Sequence, residues 1–234
     1  FSSPIVPTIL SLERTAGELL IDLYSLHLKK NLTWFKDGND ALEYLDKPEV
    51  KVLCENLVYK EDGTPRFFIV DERSASVESM QKQIDKSRKQ NSSNFIICDP
   101  LTDFLRSLPL EDQENFMLYQ KMLKKDGVVF INVLHTRKPQ SDKEGKPKDV
   151  TEYDVLGSGS FVQSADINII LNRDKMAEDP RERNTTYVSM PKCRGGITGL
   201  ACKVYYDPET RQVYDYDDRF GTNTNNSTVL TDEE

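Results

Sequence analysis

A short apolar run that ends in a carboxylate and a proline constrains the fold of this chain more than any other feature. Residues 95–98 are apolar or small, and Asp99 and Pro100 follow them. A continuous apolar run of this length is typical of a strand buried on both faces of a parallel sheet. Proline cannot continue the ladder of a sheet, so we predict that the strand ends near Asp99. The sequence therefore predicts an α/β fold with a carboxylate at the end of an inner strand.

Two more predicted strands end in a polar side chain. Residues 8–12 are followed by Glu13, and residues 128–134 are followed by His135. Ligands of open α/β sheets bind beyond the carboxyl ends of the strands, so the three polar side chains are candidates for one site. Asp99 suits a hard cation such as Mg²⁺, and Glu13 suits a general base that activates water. Structural roles remain open for all three: a turn cap, a first-turn acid and a histidine after a core strand.

Other patterns predict helices and strands along the rest of the chain. Thr15 and Glu18 have the spacing of a capping box, which predicts a helix from Thr15. Ser74 or Ser76 is the predicted N-cap of a helix at 74–88. The remaining predictions are two short helices within 32–57, a loop at 101–110, a helix at 112–125, strands at 66–71, 167–171 and 185–190, and a hairpin of 201–206 with 212–216.

Charge limits the classes of partner. The formal net charge is −8, which argues against a protein that coats nucleic acid with its whole surface. Residues 136–150 are nevertheless locally basic, and such a loop suits contacts with the phosphates of single-stranded DNA, although a solvated surface loop is the alternative. Its cations are Arg137, Lys138, Lys143, Lys146 and Lys148.

Neither membrane nor disulfide signals are visible in the sequence. No apolar run approaches the roughly 18 residues that span a bilayer, so we expect no membrane partner. The four cysteines show no spacing typical of metal ligands and are interpreted as reduced thiols of an intracellular protein. They are Cys54, Cys98, Cys193 and Cys202.

Five motifs occur in an order that resembles a known family. They are LSLE at 10–13, IICD at 96–99, VLHTRKP at 133–139, DVLGSGSFVQSAD at 154–166 and KCRGGITG at 192–199. The set resembles the RecA-like ATPase domain of DnaB-family hexameric replicative helicases, most of all the helicase half of phage primase-helicases and of mitochondrial Twinkle. The resemblance implies a RecA-like three-layer sandwich at residues 1–220, with a mostly parallel central sheet and a C-terminal β-hairpin. Residues 221–234 are interpreted as an acidic, disordered tail.

The resemblance implies roles in hydrolysis for four residues. Glu13 would activate the attacking water, and Asp99 would support Mg²⁺ through the waters that the ion coordinates. His135 and Gln163 would sense the γ-phosphate and link its loss to movement of the basic loop. The nucleotide would be ATP or dTTP.

Three further residues acquire roles at a subunit interface. Lys192 and Arg194 would reach across the interface of a hexameric ring, with Arg194 as an arginine finger that offsets charge on the transferring phosphate. Arg173 would face the nucleotide or the interface. The basic loop would bind single-stranded DNA in the central channel. The implied location is the cytoplasm of a phage-infected host cell or an organelle matrix, and the acidic tail would contact a DNA polymerase or single-strand-binding protein, or would only solubilise the chain end.

One motif of the family is not present in the sequence. There is no G-x-x-x-x-G-K-[ST] loop to cradle phosphates, and in this family that loop precedes the LSLE strand. We expect one of three explanations: a C-terminal portion of a longer protein, a P-loop or primase segment on a separate polypeptide, or a paralogue that does not hydrolyse nucleotide. Two other functions also stay open, namely a RepA-type or recombinase ATPase, and an interaction module of the replisome without a P-loop.

Overall fold

Four parallel strands surround the Asp99 strand in the computed structural model, which describes residues 5–72, 76–137, 150–156 and 159–221. The strands are β1 (Pro7–Ser11), β2 (Phe68–Val70), β3 (Phe95–Asp99) and β4 (Val129–Asn132). Their order across the sheet is β2-β1-β3-β4, with every neighbouring pair parallel. Ser11 lies opposite Asp99 in the register, so β1 and β3 end along the same edge.

One face of the parallel sheet carries the core. Leu10 of β1 and Ile96 and Cys98 of β3 are fully buried, because successive side chains of a strand point to opposite faces and these three share one face. Helices α4 (Val77–Asn91) and α6 (Leu110–Lys125) cover this face. The helical residues of the core include Met80, Ile84, Phe116 and Leu123.

The helices begin where the sequence predicts caps. Helix α1 (Ala16–His27) has Thr15 and Glu18 in a reciprocal capping box, which confirms that prediction. Ser76 is the N-cap of α4, whereas Ser74 lies outside the described residues. The two short helices predicted within 32–57 are confirmed as α2 (Gly38–Leu45) and α3 (Pro48–Val58). Within the described ranges no helix is long and apolar enough to cross a membrane.

A second sheet is antiparallel throughout. It contains β5 (Ile167–Asn172), β6 (Thr185–Cys193), β7 (Gly199–Tyr206) and β8 (Val213–Asp215), in that order. The predicted C-terminal hairpin is confirmed as β7 and β8. The remaining helices of this half are α7 (Gly159–Ser164), α8 (Pro180–Arg183) and α9 (Tyr216–Phe220).

The hairpin turn between β7 and β8 is fastened to the first half of the chain. Asn31 donates two hydrogen bonds there, from its backbone N–H to Glu209 O and from its side-chain amide to Pro208 O, both at 2.8 Å. The guanidinium of Arg211 pairs with Asp22 of α1. The two sheets are therefore tied together at a point remote in sequence from the connection between β4 and β5.

Two sequence predictions about local structure are wrong. The predicted loop at 101–110 contains helix α5 (Leu101–Arg106) and the first residue of α6. Leu101 and Leu105 are fully buried one helical turn apart, so burial of this short apolar face favours a helix directly after Pro100. The Gly-Ser-rich segment 157–166, for which no helix was predicted, contains α7, which buries Phe161 in the core.

Candidate functional site

The carboxyl edge of the parallel sheet brings three predicted residues together. Glu13 follows β1, Asp99 ends β3 and His135 follows β4, and the three strands are parallel and hydrogen-bonded in the order β1-β3-β4. The N–H of Leu12 donates to the carbonyl of Asp99 at 2.8 Å, which extends the pairing to the residue before Glu13. Glu13 and His135 are exposed and Asp99 is half-buried. This edge can therefore present two carboxylates and an imidazole to a ligand in solvent.

Helix α5 holds the edge in place from below. The N–H of Leu101 donates to the carbonyl of Val133 at 2.8 Å, and the N–H of His135 donates to Thr102 Oγ1 at 2.6 Å. Thr102 is fully buried, so its hydroxyl fixes the backbone that carries His135 rather than meeting a ligand. The sequence analysis missed Thr102 because its segment was predicted to be a loop.

A cation beside Glu13 was also missed. The guanidinium of Arg14 pairs with Asp22, and this hydrogen bond, with smaller contributions from Glu18 and Asp99, raises the pKa of Arg14 above its usual value. Asp22 is shared with Arg211, so one carboxylate joins α1, the residue after Glu13 and the hairpin turn. The signal in the sequence was only the adjacency of Arg14 to Glu13.

Residues 150–156 connect this edge to the second sheet. The N–H of Leu156 donates to His135 O at 2.8 Å, and the N–H of Arg137 donates to Asp154 O at 2.7 Å. At the other end, the N–H of Val150 donates to Asn172 Oδ1 at 2.9 Å. The segment therefore spans from the residues after β4 to the last residue of β5.

The basic loop is described only at its start. Arg137 is exposed, and its backbone is held by Asp154 as described above. Its predicted partners in DNA binding lie outside the described residues: Lys138, Lys143, Lys146 and Lys148.

Arg173 has partners within its own chain. Its Nε donates to Arg183 O at 2.7 Å, and a terminal nitrogen donates to Asn184 Oδ1 at 2.7 Å. The guanidinium also lies 5.5 Å from the ring centroid of Tyr206. These contacts fasten the end of β5 to the start of β6, which gives Arg173 a structural role in addition to the predicted one.

A second cluster collects the remaining predicted residues at the end of α7. Lys192 Nζ donates to the carbonyl of Gln163. The backbone N–H of Arg194 donates to Asp166 O at 2.8 Å, and its guanidinium lies 3.3 Å from the Asp166 carboxylate. Asp166 also pairs with Lys124 of α6, and this hydrogen bond lowers the pKa of Asp166 below its usual value. The side chain of Arg194 is 70% exposed.

The donor set at the sheet edge fits a magnesium nucleotide only in part. Mg²⁺ in such sites takes one or two carboxylates together with waters and substrate phosphates, and Asp99 supplies a carboxylate at the expected strand end. Among the described residues no group of three histidine, cysteine, aspartate or glutamate side chains is placed to hold a metal by itself. The oxygen ligands beyond Asp99 would therefore come from the nucleotide and water.

Known structures resemble this arrangement. A solved helicase ATPase domain aligns with a TM-score of 0.64 and 18% identity, over 90% of this chain and 74% of that chain. The fold is RecA-like. A DnaB-like replicative helicase, solved to show its interactions with primase, also aligns with a TM-score of 0.64 and 18% identity, over 89% of this chain and 50% of that chain. No family model and no curated protein matches the sequence.

The comparisons bear on the fold predictions directly. The predicted α/β class with parallel strands and a C-terminal hairpin is confirmed, with one refinement: the parallel and antiparallel strands form two separate sheets in the described part of the chain. In this RecA-like fold, the two clusters occupy the carboxyl edge of the parallel sheet and the junction of α7 with β6. The roles assigned to their residues stay predictions.

Proposed function

We propose that this chain is the motor part of a ring-forming DNA helicase, in which NTP hydrolysis drives translocation on single-stranded DNA and unwinding of the duplex. The observation that carries this proposal is the carboxyl edge with Glu13, Asp99 and His135 on a RecA-like fold. The likeness to a solved helicase ATPase domain and to a DnaB-like replicative helicase supports it. Five motifs in order, from residue 10 to residue 199, support it independently.

Hydrolysis in this proposal depends on the sheet edge. The substrate is ATP or dTTP with Mg²⁺, and the ion neutralises charge on the phosphates when it is bound. Glu13 is exposed at the end of β1, so its carboxylate can accept a proton from a water that attacks the γ-phosphate. Asp99 orients the waters around the ion. His135, held through its backbone by Thr102, contacts the γ-phosphate and changes position when that phosphate leaves.

The cluster at the end of α7 serves a neighbouring subunit. Arg194 keeps most of its side chain in solvent and Lys192 is held next to Gln163. An exposed guanidinium that is fixed at its backbone can reach a phosphate bound to another protomer, where it offsets developing charge. We assign Arg194 as this trans-acting finger in a hexamer, with Lys192 beside it and Arg173 supporting the interface.

DNA contacts are assigned to the basic loop that begins at Arg137. The backbone of Arg137 is bonded to Asp154, and His135 two residues earlier is bonded to Leu156, so a shift at His135 reaches the loop through a short, hydrogen-bonded segment. The lysines of the loop extend the positive charge toward the DNA backbone. A primase, a DNA polymerase and a single-strand-binding protein are the proposed replisome partners, the latter two through the acidic tail.

Mixed rings test the trans assignment. In the complete assembly, Glu13→Gln and Arg194→Ala proteins should each lose DNA-stimulated NTP hydrolysis. When they are mixed at equal amounts, about a quarter of the interfaces pair an intact Glu13 with an intact Arg194, so about a quarter of the activity should return. Arg183→Ala, which alters another exposed arginine of the second half of the chain, is the matched control and should retain activity. Activity that stays absent in the mixture would place both residues in the same site and overturn the trans-acting finger.

The non-enzymatic alternative gives a different result. An interaction module would bind neither ATP nor dTTP in the complete assembly, and Glu13→Gln would leave DNA unwinding unchanged. Calorimetric titration with each nucleotide, alongside unwinding of a forked duplex, separates the two functions.

A further inference from the structure

Two sheet edges are left without a neighbouring strand. β4 is the last strand of the parallel sheet and β5 is the first of the antiparallel sheet, and in the portion of the chain that the structure describes no strand pairs with the outer edge of either. An unpaired edge presents a row of N–H and C=O groups that can bond to another strand. The structure thus offers two such rows.

Both edges border the same cavity. Its volume is about 290 Å³, and it is lined by Val129 and Asn132 of β4 and by Ile167 of β5. One side is closed, because α6 and α7 meet there through the rings of Phe116 and Phe161, whose centroids are 6.4 Å apart. The ion pair of Lys124 with Asp166 joins α6 to the residue before β5. The two edges are therefore held at a gap rather than belonging to unrelated surfaces.

The opposite side of the gap is apolar and exposed. On β4, Val128 and Phe130 face the core, so Val129, Ile131 and Val133 face the other way, because side chains alternate along a strand. β5 shows the same alternation, since Asn168 and Asn172 bond to residues 150–162.

The exposed row of β5 extends that of β4. Its members are 52–66% exposed and those of β4 are 38–50% exposed, and an apolar surface made of two adjacent rows indicates an interaction site rather than scattered surface residues. The row of β5 consists of Ile167, Ile169 and Leu171.

We propose that a β-strand followed by a helix, supplied by a polypeptide segment outside the printed sequence, inserts between β4 and β5. The strand satisfies both rows of backbone groups at once, and its helix covers the apolar rows. The tail at 222–234 does not fit, since its only two aliphatic residues, Val229 and Leu230, are adjacent and cannot line one face of a strand. A lone added strand without a helix would leave the apolar rows in water.

The direction of the inserted strand follows from the sheet. β1, β2, β3 and β4 are all parallel, and a strand parallel to β4 ends at the edge that carries Glu13, Asp99 and His135. The loop between the inserted strand and its helix then faces these side chains. This step rests on the proposed function: a glycine-rich loop at that place supplies the backbone N–H groups that bind phosphates and that the described residues do not provide.

Peptide complementation tests the proposal on the intact chain. The probe is a synthetic peptide with a strand of alternating valines, a Gly-x-x-x-x-Gly-Lys-Thr loop and an amphipathic helix, and hydrogen exchange is followed residue by residue. The peptide should bind and protect amides of β4 and β5. Ile131→Glu and Ile169→Glu should weaken binding by about tenfold each, because each removes a buried isoleucine from the complex. Leu118→Glu, on an exposed position of α6, is the control and should leave binding unchanged.

The outcomes separate docking from function. Protection of β4 and β5 without nucleotide binding supports the docking site and counts against the proposed function. Nucleotide binding without such protection overturns the docking site alone. If the chain self-associates without peptide and Ile131→Glu abolishes this, the occupant is a second copy and the proposal is wrong. Val133→Thr provides a milder variant, whose circular dichroism and thermal unfolding must match those of the unaltered chain.

Discussion

The carboxylate of Asp166 lies 3.3 Å from the guanidinium of Arg194, and the same carboxylate pairs with Lys124. Three elements therefore meet at one acid: the end of α6, the residue before β5 and the residue after β6. The backbone N–H of Arg194 also donates to Asp166. The direction in which Arg194 projects is thus set by a residue that the sequence analysis placed in a motif without giving it a role.

Replacement of Asp166 by asparagine should free Arg194 more than it destabilises the chain. Exposed ion pairs contribute about 0–1 kcal/mol, so the free energy of unfolding in urea should fall by less than about 1 kcal/mol. The arginine side chain should become more mobile, which nitrogen relaxation of its Nε–H measures. Glu178→Gln, an exposed carboxylate in the loop before α8, should change neither quantity. Unaltered relaxation in Asp166→Asn would show that the ion pair does not orient Arg194.

The capping box of α1 should be sensitive to acid. Hydrogen bonds from the backbone and side chain of Thr15 lower the pKa of Glu18 below its usual 4.5. The carboxylate therefore stabilises the helix start fully above about pH 4.5, and this contribution is lost as the pH falls through the lowered pKa. Thr15→Ala should return the pKa of Glu18 toward 4.5 and cost about 1 kcal/mol of stability through the lost cap.

Carbon NMR of the carboxyl groups measures this shift. Thr64→Ala is a matched control, because Thr64 donates to Asp62 and lowers the pKa of that acid instead. It should move the pKa of Asp62 upward and leave Glu18 unchanged. A Glu18 pKa that does not respond to Thr15→Ala would contradict the capping interaction.

Phe161 should be worth more than its place in a Gly-Ser-rich segment suggests. It is 5% exposed and packs in the core against Phe116. Phe161→Ala should lower the free energy of unfolding by about 3 kcal/mol or more, through lost burial and the cavity left behind. Hydrogen exchange at Ala165, whose N–H donates to Phe161 O, should accelerate as α7 loosens. Leu118→Ala, at an exposed position of α6, should cost less than about 0.5 kcal/mol.

The four cysteines should differ sharply in reactivity. All four are free thiols. Burial, with a smaller effect of Asp99, raises the pKa of Cys98 to about 12, and burial also raises the pKa of Cys54. The thiolate is the reactive form, so a thiol reagent at about pH 8 should label Cys202 and Cys193 in the folded chain and the other two only on unfolding. The double substitution Cys193→Ser/Cys202→Ser should abolish the fast phase, and a fast phase that survives it would contradict the burial of Cys98.

The sequence predicts the sheet better than the connections. Apolar runs ending in Asp99 and His135 mark strands because burial on both faces demands such runs, and pairing then brings their ends together. Helix α5 was missed because Pro100 reads as a breaker, whereas here it stands directly before a helix whose leucines are buried by neighbours distant in sequence. Thr102 and the sharing of Asp22 between two arginines depend on that tertiary packing, which no local pattern encodes.

The link between Asp22 and the hairpin turn has a mechanical consequence. Arg211 reaches Asp22 from the turn between β7 and β8, and Arg14 reaches it from the residue next to Glu13. One side chain thus works as a strut between the far end of the antiparallel sheet and the start of α1. When a force displaces the hairpin, the strut transfers the displacement to Arg14, so Glu13 lies one residue from the point where a push on the remote surface arrives.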